Sequence, residues 1–267
     1  GLFGDGNDGL DGDVTLTVKV SDDNTGNPVI ADVQVLKEGD VISEDTGSTV
    51  QFNLKTDDYT VKVDDYGYET WSEEISLSDS GDNDSTVDAA LTPVNLVDNG
   101  EFTEPLSSAQ PNEDGELDTQ ESWSVFLNNG DGSADASIDN KQFKINVTDK
   151  GSNPYSVQLL QSPVLLEKGA QYKLTFDAKA TSDKAVTVKL GGIASRSWAG
   201  YIQKDKNLSD QWKTYEITFT MQQETDENAR FEFWFLNNGT YYIDNVKWLK
   251  TGEEEVLEEG TLTETDE

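Results

Sequence analysis

"ARFEFWFLNNGTYYIDNVKW", residues 229–248, holds the reading that decides the fold. Phe231, Phe233 and Phe235 alternate with Glu232 and Trp234. A period of two places the phenylalanines on one face of a strand and the other pair on the opposite face. "LNNG" then supplies a turn, and "TYYIDNVKW" alternates again as a second strand. The phenylalanine row needs a core. Trp234 is thereby left on a sheet face or in a groove, beside a carboxylate. A large aromatic there asks for an explanation in a way that an outward leucine does not.

The same alternation recurs outward in both directions. "DVTLTVKV", "ADVQVL", "TVQFNL", "YTVKV" and "EEISLS" form a first series, separated by Asp, Asn and Gly clusters. "KQFKINV", "YSVQLL", "QYKLTFDAKA", "AVTVKLG" and "KTYEITFTM" form a second series that leads into the opening stretch. No segment carries the 3.6-residue apolar period of an amphipathic helix. The fold class expected is all-β, with two β-sandwich domains. A length of 267 residues also suits two domains. The seam is read at "LTPVNLVDNG", residues 91–100, where Pro93 ends a strand. The domains expected are 13–93 and 94–250. Residues 1–12, rich in Gly and Asp, read as a linker, and the acidic residues 251–267 as a tail or linker. The first stretch fails the EF-hand pattern, because Gly9 and Leu16 fall where that loop needs oxygen ligands.

Composition removes several function classes. There is no cysteine, so disulfide and thiolate chemistry are excluded. There is no histidine, which removes the commonest general base and nearly every zinc site. With 53 acidic against 19 basic residues the net charge is −34, a surface that repels nucleic acid and anionic membranes. No apolar run approaches membrane-spanning length. No stretch at the start reads as a signal peptide, so Gly1 is expected to follow a cleavage or a boundary in a longer chain. A secreted location fits the acidic surface, in a salty habitat where screening is strong, and a secreted or cell-surface protein is expected.

Between residues 13 and 93, "GNPVIADVQVL" precedes "YTVKV" and the "GY" pair Gly67-Tyr68. This order resembles the carboxypeptidase-regulatory-like, transthyretin-like sandwiches, although Thr56-Asp57-Asp58 stands where that family often has a Pro-Gly turn. The resemblance implies a Greek-key sandwich acting as a spacer or adhesive module. Tyr66, Tyr68 and Trp71 read either as packing or as a binding patch.

In the second half, "NLVDNGEF", "SPVLLEKGAQYKLTFDAKAT", "DQWKTYEITFTM" and "YYIDNVKWL" follow one another over about 150 residues. This order resembles the carbohydrate-binding modules of the family 4/9 group, with relatives in families 16 and 22. The resemblance implies a jelly-roll sandwich that binds β-linked polysaccharide, of β-glucan or β-mannan type, without catalysis. It also implies a catalytic domain in the same parent chain, that of a secreted glycan-degrading enzyme. A monomer is expected. The alternatives are a structural or adhesive cell-surface spacer and, more remotely, a glycoside hydrolase with two carboxylates about 5–10 Å apart.

Sugar rings stack their C–H faces on flat aromatics, and their hydroxyls need paired polar groups. Trp234 and Glu232 meet that description from strand parity alone. The Gly- and Ser-rich loop "GGIASRSWAGY", residues 191–201, adds Trp198, Arg196 and Tyr201. The resemblance places cleft aromatics near "SWSVFLNN", which offers Trp123 and Phe126 as platform or core, and an amide near "YSVQLLQS". Gln158 and Gln161 there have opposite parity, and Gln161 is the better match to the family. Trp212 and Trp248 read as packing residues. The resemblance also implies a structural calcium ion held by Glu101, the turn at Asn140–Lys141 through the Lys141 carbonyl, and Asp244, an oxygen set that suits calcium.

Overall fold

The computed structural model describes residues 14–78 and 84–254. The linker expected at 1–12 and all but the first residues of the expected tail lie outside them. The described residues form two compact units. One holds the described residues up to Val94 together with those from Lys250 onward; the other is Asn95–Leu249.

The first unit is a seven-stranded sandwich. Its strands are β1 (Val14–Asp22), β2 (Ala31–Lys37), β3 (Asp40–Gly47), β4 (Thr49–Leu54), β5 (Asp57–Asp64), β6 (Trp71–Leu77) and β7 (Asp84–Leu91). They make a sheet of order β4-β1-β7 and another of order β3-β2-β5-β6. Alternation in β1 and β2 buries Leu16, Val18, Val33 and Val35 between them. Such strictly alternating faces are what a two-layer sandwich requires. The "GY" pair lies in a turn: the Tyr68 N–H donates to Asp65 O at 3.2 Å, and Gly67 has φ +88°. Positive φ at the third residue is the mark of a type II turn, and glycine takes it without steric cost. The Tyr68 hydroxyl donates to Asp22 Oδ2 at 2.8 Å inside the unit.

The second unit has β8 (Ser124–Leu127), β9 (Ser133–Asp139), β10 (Gln142–Asp149), β11 (Val157–Leu166), β12 (Ala170–Ala180), β13 (Lys184–Gly191), β14 (Gly200–Leu208), β15 (Lys213–Thr220), β16 (Asp226–Phe235) and β17 (Gly239–Glu253), whose residues from Lys250 belong to the first unit. Two five-stranded sheets result, β15-β12-β17-β10-β9 and β14-β13-β16-β11-β8. The all-β, two-sandwich architecture is therefore as the sequence implies. β17 runs through Glu253, so the tail expected from Thr251 begins later than read. Phe231, Phe233 and Phe235 of β16 enter the core with Phe143, Phe176, Tyr172, Tyr241 and Trp248. Phe233 meets Phe176 edge-on at 5.2 Å, and Phe235 meets Tyr241 at 4.9 Å. Such edge-to-face packing adds to burial.

Trp212 departs from the core position expected of it. It directly precedes β15, out of phase with buried Ile217, and is exposed on the outer face of its sheet. There it meets Tyr242 edge-on at 6.3 Å, and the Lys179 ammonium lies 5.3 Å from its ring. Among the described residues no helix is long and apolar enough to cross a membrane.

Candidate functional site

β16 is the central strand of its sheet, with β13 on one side and β11 on the other. Its outward residues are Arg230, Glu232 and Trp234. The register sets Thr187 beside Trp234 and Lys189 beside Glu232 on β13. On β11, Gln158 lies opposite Trp234, and Phe126 of β8 follows opposite Gln158. The outer face thus carries a polar row with aromatics around it.

This face is recessed. Trp234 was expected on a sheet face or in a groove, and only 8% of it is accessible: Tyr155 packs edge-on against it at 5.8 Å. Arg230, Glu232, Gln158 and Lys189 are all buried. Glu232 Oε1 accepts from Trp234 Nε1 at 3.1 Å and from Arg230 Nη2 at 3.3 Å. Arg230 Nη2 also donates to Gln158 Oε1 at 3.0 Å. The guanidinium lies 5.6 Å from the Phe126 ring and 5.7 Å from the Trp198 ring, between two aromatic faces. Its Nε is buried without a hydrogen-bond partner. A buried orphaned donor is costly, so such a group marks a place where an acceptor belongs. Lys189 donates to the Trp198 carbonyl at 3.0 Å and stands 5.6 Å from the Trp234 ring. Burial holds the Lys189 ammonium below its usual range, against the opposing pull of Glu232. Burial likewise lowers Arg230, again opposed by Glu232.

Trp198 projects from the β13–β14 hairpin loop and is 45% exposed. Ser197 and Trp198 have φ of 54° and 57°. Left-handed backbone at a bulky residue is strained, and it persists where surrounding bonds fix it. Here the Trp198 N–H donates to Ile193 O at 3.1 Å, and Ala194 N–H donates to Asp114 O at 3.1 Å. The second bond ties this loop to the turn containing Gly115. An alanine Cβ at Gly115 would come within 2.6 Å of the Trp198 ring and 3.2 Å of Arg230 Nη1. The φ of +87° at Gly115 adds backbone strain to that clash. Gly115→Ala is therefore expected to weaken ligand binding at least about tenfold, with a stability loss of roughly 1–3 kcal/mol. Titration of the variant beside the parent, with thermal melts of both, checks this; unchanged affinity would remove Trp198 from the site.

Several residues expected in the site are used elsewhere. Trp123 is fully buried in the core, stacked on Phe102 at 5.8 Å and edge-on to Phe231 at 5.3 Å, so it is no platform. Gln161 shares the inward side with Phe231, its partner in register. It accepts from Asp98 N at 2.7 Å and donates to Asp98 O at 2.8 Å, clamping the segment before the first turn. Gln120 Nε2 also donates to it. The amide that faces the recess is Gln158, the choice that strand parity left open. Arg196 spends its guanidinium on the Tyr201 hydroxyl and on the carbonyls of Glu224 and Thr225. Tyr201 in turn donates to Asp226 Oδ2 at 2.7 Å. These two knit the loop to the opening of β16 and direct those bonds away from the recess. Trp234, Glu232, Phe126 and Trp198 are gathered on the recessed face.

Arg230, Lys189 and Tyr155 were not read from the sequence as site residues, and Gln158 was weighed there but Gln161 was preferred. The signal for Arg230 was present, since it is two residues before Glu232. Lys189 alternates with Val188 and Leu190 in the same way.

The segments expected to hold calcium come together. Val246 N–H donates to Gly100 O at 2.9 Å, next to Glu101. Asn140 and Lys141, both with positive φ, form the two-residue turn between β9 and β10, and β10 pairs with β17 so that this turn lies beside Asp244. Burial raises the Asp244 carboxyl, and the charges of Asp177 and Glu101 raise it further. Among the described residues no three acidic side chains cluster as a metal site on their own. An ion here would need backbone oxygens, of the kind Lys141 offers, beside the two carboxylates Glu101 and Asp244. Those donors are of the class calcium takes.

Comparison with known proteins adds the following. A family model described as "Carbohydrate binding domain" matches residues 94–239. A cellulose 1,4-beta-cellobiosidase of Acetivibrio thermocellus is 31% identical over 116 residues, which are 40% of this chain and 13% of that protein. The chain therefore spans a small part of this curated relative's length. A solved structure described as "CBM4 structure and function" is 24% identical with a TM-score of 0.51, covering 58% of this chain and 99% of its own.

Proposed function

Because the chain belongs to the carbohydrate binding domain family, matched over 94–239, we propose that its second unit binds a β-linked polysaccharide, of glucan or mannan type, without catalysing its cleavage. The observation that carries this reading is the buried Arg230–Glu232–Gln158 row flanked by Trp198, Phe126 and Trp234. Flat rings serve the C–H faces of sugars, and fixed donors and acceptors serve their hydroxyls. The unpaired Nε of Arg230 suits a ligand oxygen. Affinity for a single chain is expected to be modest, about −4 to −8 kcal/mol. The module's use is to hold a tethered catalytic domain near its substrate, raising effective concentration. The cellobiosidase relative, a much longer protein, supports that setting and favours a β-1,4-linked glucan. The first unit acts as a spacer, and the parent chain is secreted.

Affinity electrophoresis in gels containing hydroxyethylcellulose, glucomannan, laminarin or xylan tests the reading. Retardation is expected in the β-glucan or glucomannan gels, and Trp198→Ala should abolish it. No retardation in any gel would overturn the proposal.

We also propose that calcium binds through Glu101, the Lys141 carbonyl and Asp244, tying the first segment of the unit to its last strand. Free calcium at a hundred times its Kd is then expected to stabilise the fold by about 2.7 kcal/mol. Thermal melts with calcium and with a chelator measure the gain, and Asp244→Asn should cancel it. Coincident melts would dismiss the ion.

A further inference from the structure

The first unit contains a second cluster of charged groups that the binding site does not use. Lys250, near the end of β17, is fully buried. Its Nζ donates to Asp65 Oδ2 at 3.0 Å and to Tyr66 O at 2.6 Å. Glu253 Oε1 lies 2.8 Å from the same Nζ, at an angle that gives no aligned hydrogen bond. The rings of Tyr66 and Tyr68 stand 5.8 and 5.7 Å from it. Asp65 opens the type II turn whose next carbonyl, that of Tyr66, receives the second Lys250 proton. The turn and the terminal strand therefore hold an amine against a carboxyl, with a second carboxylate beside both.

We propose that Lys250 and Asp65 are joined by an intramolecular amide bond, formed without an external enzyme, with Glu253 as the proton carrier. Three features favour it. Nζ is held 3.0 Å from an oxygen of the Asp65 carboxyl inside a closed unit, and holding reactants together this way supplies much of what such a reaction needs. Burial, and then the neighbouring Glu253, push the Asp65 carboxyl well above the ordinary carboxylate range, which keeps it as the electrophilic acid. Amide formation also replaces buried charged groups by a neutral one, removing the cost of keeping them out of water.

The step balances as follows. Glu253 takes one proton from the Lys250 ammonium, leaving a neutral amine. Nζ attacks Cγ of protonated Asp65, forming the N–C bond and a tetrahedral centre. Glu253 returns its proton to the departing hydroxyl and takes one from the nitrogen. The C–O bond breaks and one water leaves. The products are a secondary amide, water and protonated Glu253; nothing is oxidised or reduced.

The bond would join points 185 residues apart. The chain has no cysteine and hence no disulfide, so this would be its covalent cross-link. Residues 95–249 would lie wholly within the closed loop, and a pull along the first unit would pass from Asp65 to Lys250 without running through them.

Intact-mass spectrometry of the full chain tests the proposal. The expected mass is one water below that of the sequence, and a tryptic digest should contain a branched peptide joining the segments around Asp65 and Lys250. Glu253→Gln should return the full sequence mass, or shed its water many times more slowly, and Lys250→Arg should not shed it at all. The wild-type mass decides the matter even if a variant folds badly. A folded wild-type chain that keeps the full sequence mass through prolonged incubation at neutral pH, with no branched peptide, would overturn the proposal and leave the cluster a buried ion triad.

Discussion

Glu232→Gln is expected to destabilise the second unit by about 3–5 kcal/mol, the cost of leaving buried charges without their partner. The change is nearly isosteric, so packing is not its cause. Glu232 is the carboxylate that Arg230 and Trp234 both contact, and its charge is what holds the Lys189 ammonium against the effect of burial. Without it, two buried cations face each other. Lys189 is already held below its usual range and would fall further. A lysine whose folded pKa is depressed binds fewer protons folded than unfolded in the interval between its folded value and the ordinary one near 10.4. Stability therefore rises with pH across that interval. The variant should recover part of its loss as pH is raised toward about 10, more steeply than the parent. Lys189→Met added to Glu232→Gln should recover stability at neutral pH by removing one of the two cations. Denaturant titrations of the four proteins in this cycle, each at two pH values, give the coupling. A loss below about 1 kcal/mol, flat with pH, would mean that the three charges do not act as a unit.

The same residues show how much of the site was legible. Strand parity put Trp234 and Glu232 on the outer face, because a side-chain period of two is set by backbone geometry. It could have given Arg230 by one more step, and Lys189 and Gln158 by the same rule. What it could not give was depth. Trp234 is recessed because Tyr155 packs on its edge and the Lys189 ammonium stands over its ring, and the placing of such neighbours depends on contacts distant in sequence. Arg196 shows the converse. A cation in a Gly- and Ser-rich loop looks free, yet its partners are the carbonyls of Glu224 and Thr225, nearly thirty residues on. The fold was more legible than the site. Every long alternating run became a strand, since burial of one face is a local pattern with a global consequence. β3, β8, β9 and β14 were not read as strands. Each lies at an edge of its sheet, where little apolar surface is needed.

Trp123→Ala is expected to be the most damaging single change in the second unit, at about 3–5 kcal/mol for the lost burial and cavity. Its ring fills the space among Phe102, Phe231 and Phe233, with centroids 5.8, 5.3 and 5.9 Å away. Its Nε1 donates to Asn99 O at 3.0 Å, and its own carbonyl accepts from Ser107 N–H at 2.8 Å. Removing the indole takes one of two donors from the Asn99 carbonyl, which still accepts from the Phe102 N–H at 3.1 Å, a loss of roughly 0.5–1.5 kcal/mol. The backbone at Asn99 and at Ser107 is thus tied to one residue, through its side chain and its carbonyl, immediately before β8, the strand that carries Phe126 into the site. The contrast is with Trp198→Ala, which removes a half-exposed ring and should cost under about 1 kcal/mol of stability while taking 2 kcal/mol or more of binding. Melts and affinity gels run on both variants separate the two tryptophans. The expected pattern is a large fall in melting temperature with Trp123→Ala, its binding retained in proportion to the folded fraction, and the reverse with Trp198→Ala. If Trp123→Ala lost binding at an unchanged melting temperature, the indole would have to reach the ligand. Its complete burial against three aromatic rings makes that the outcome this packing forbids.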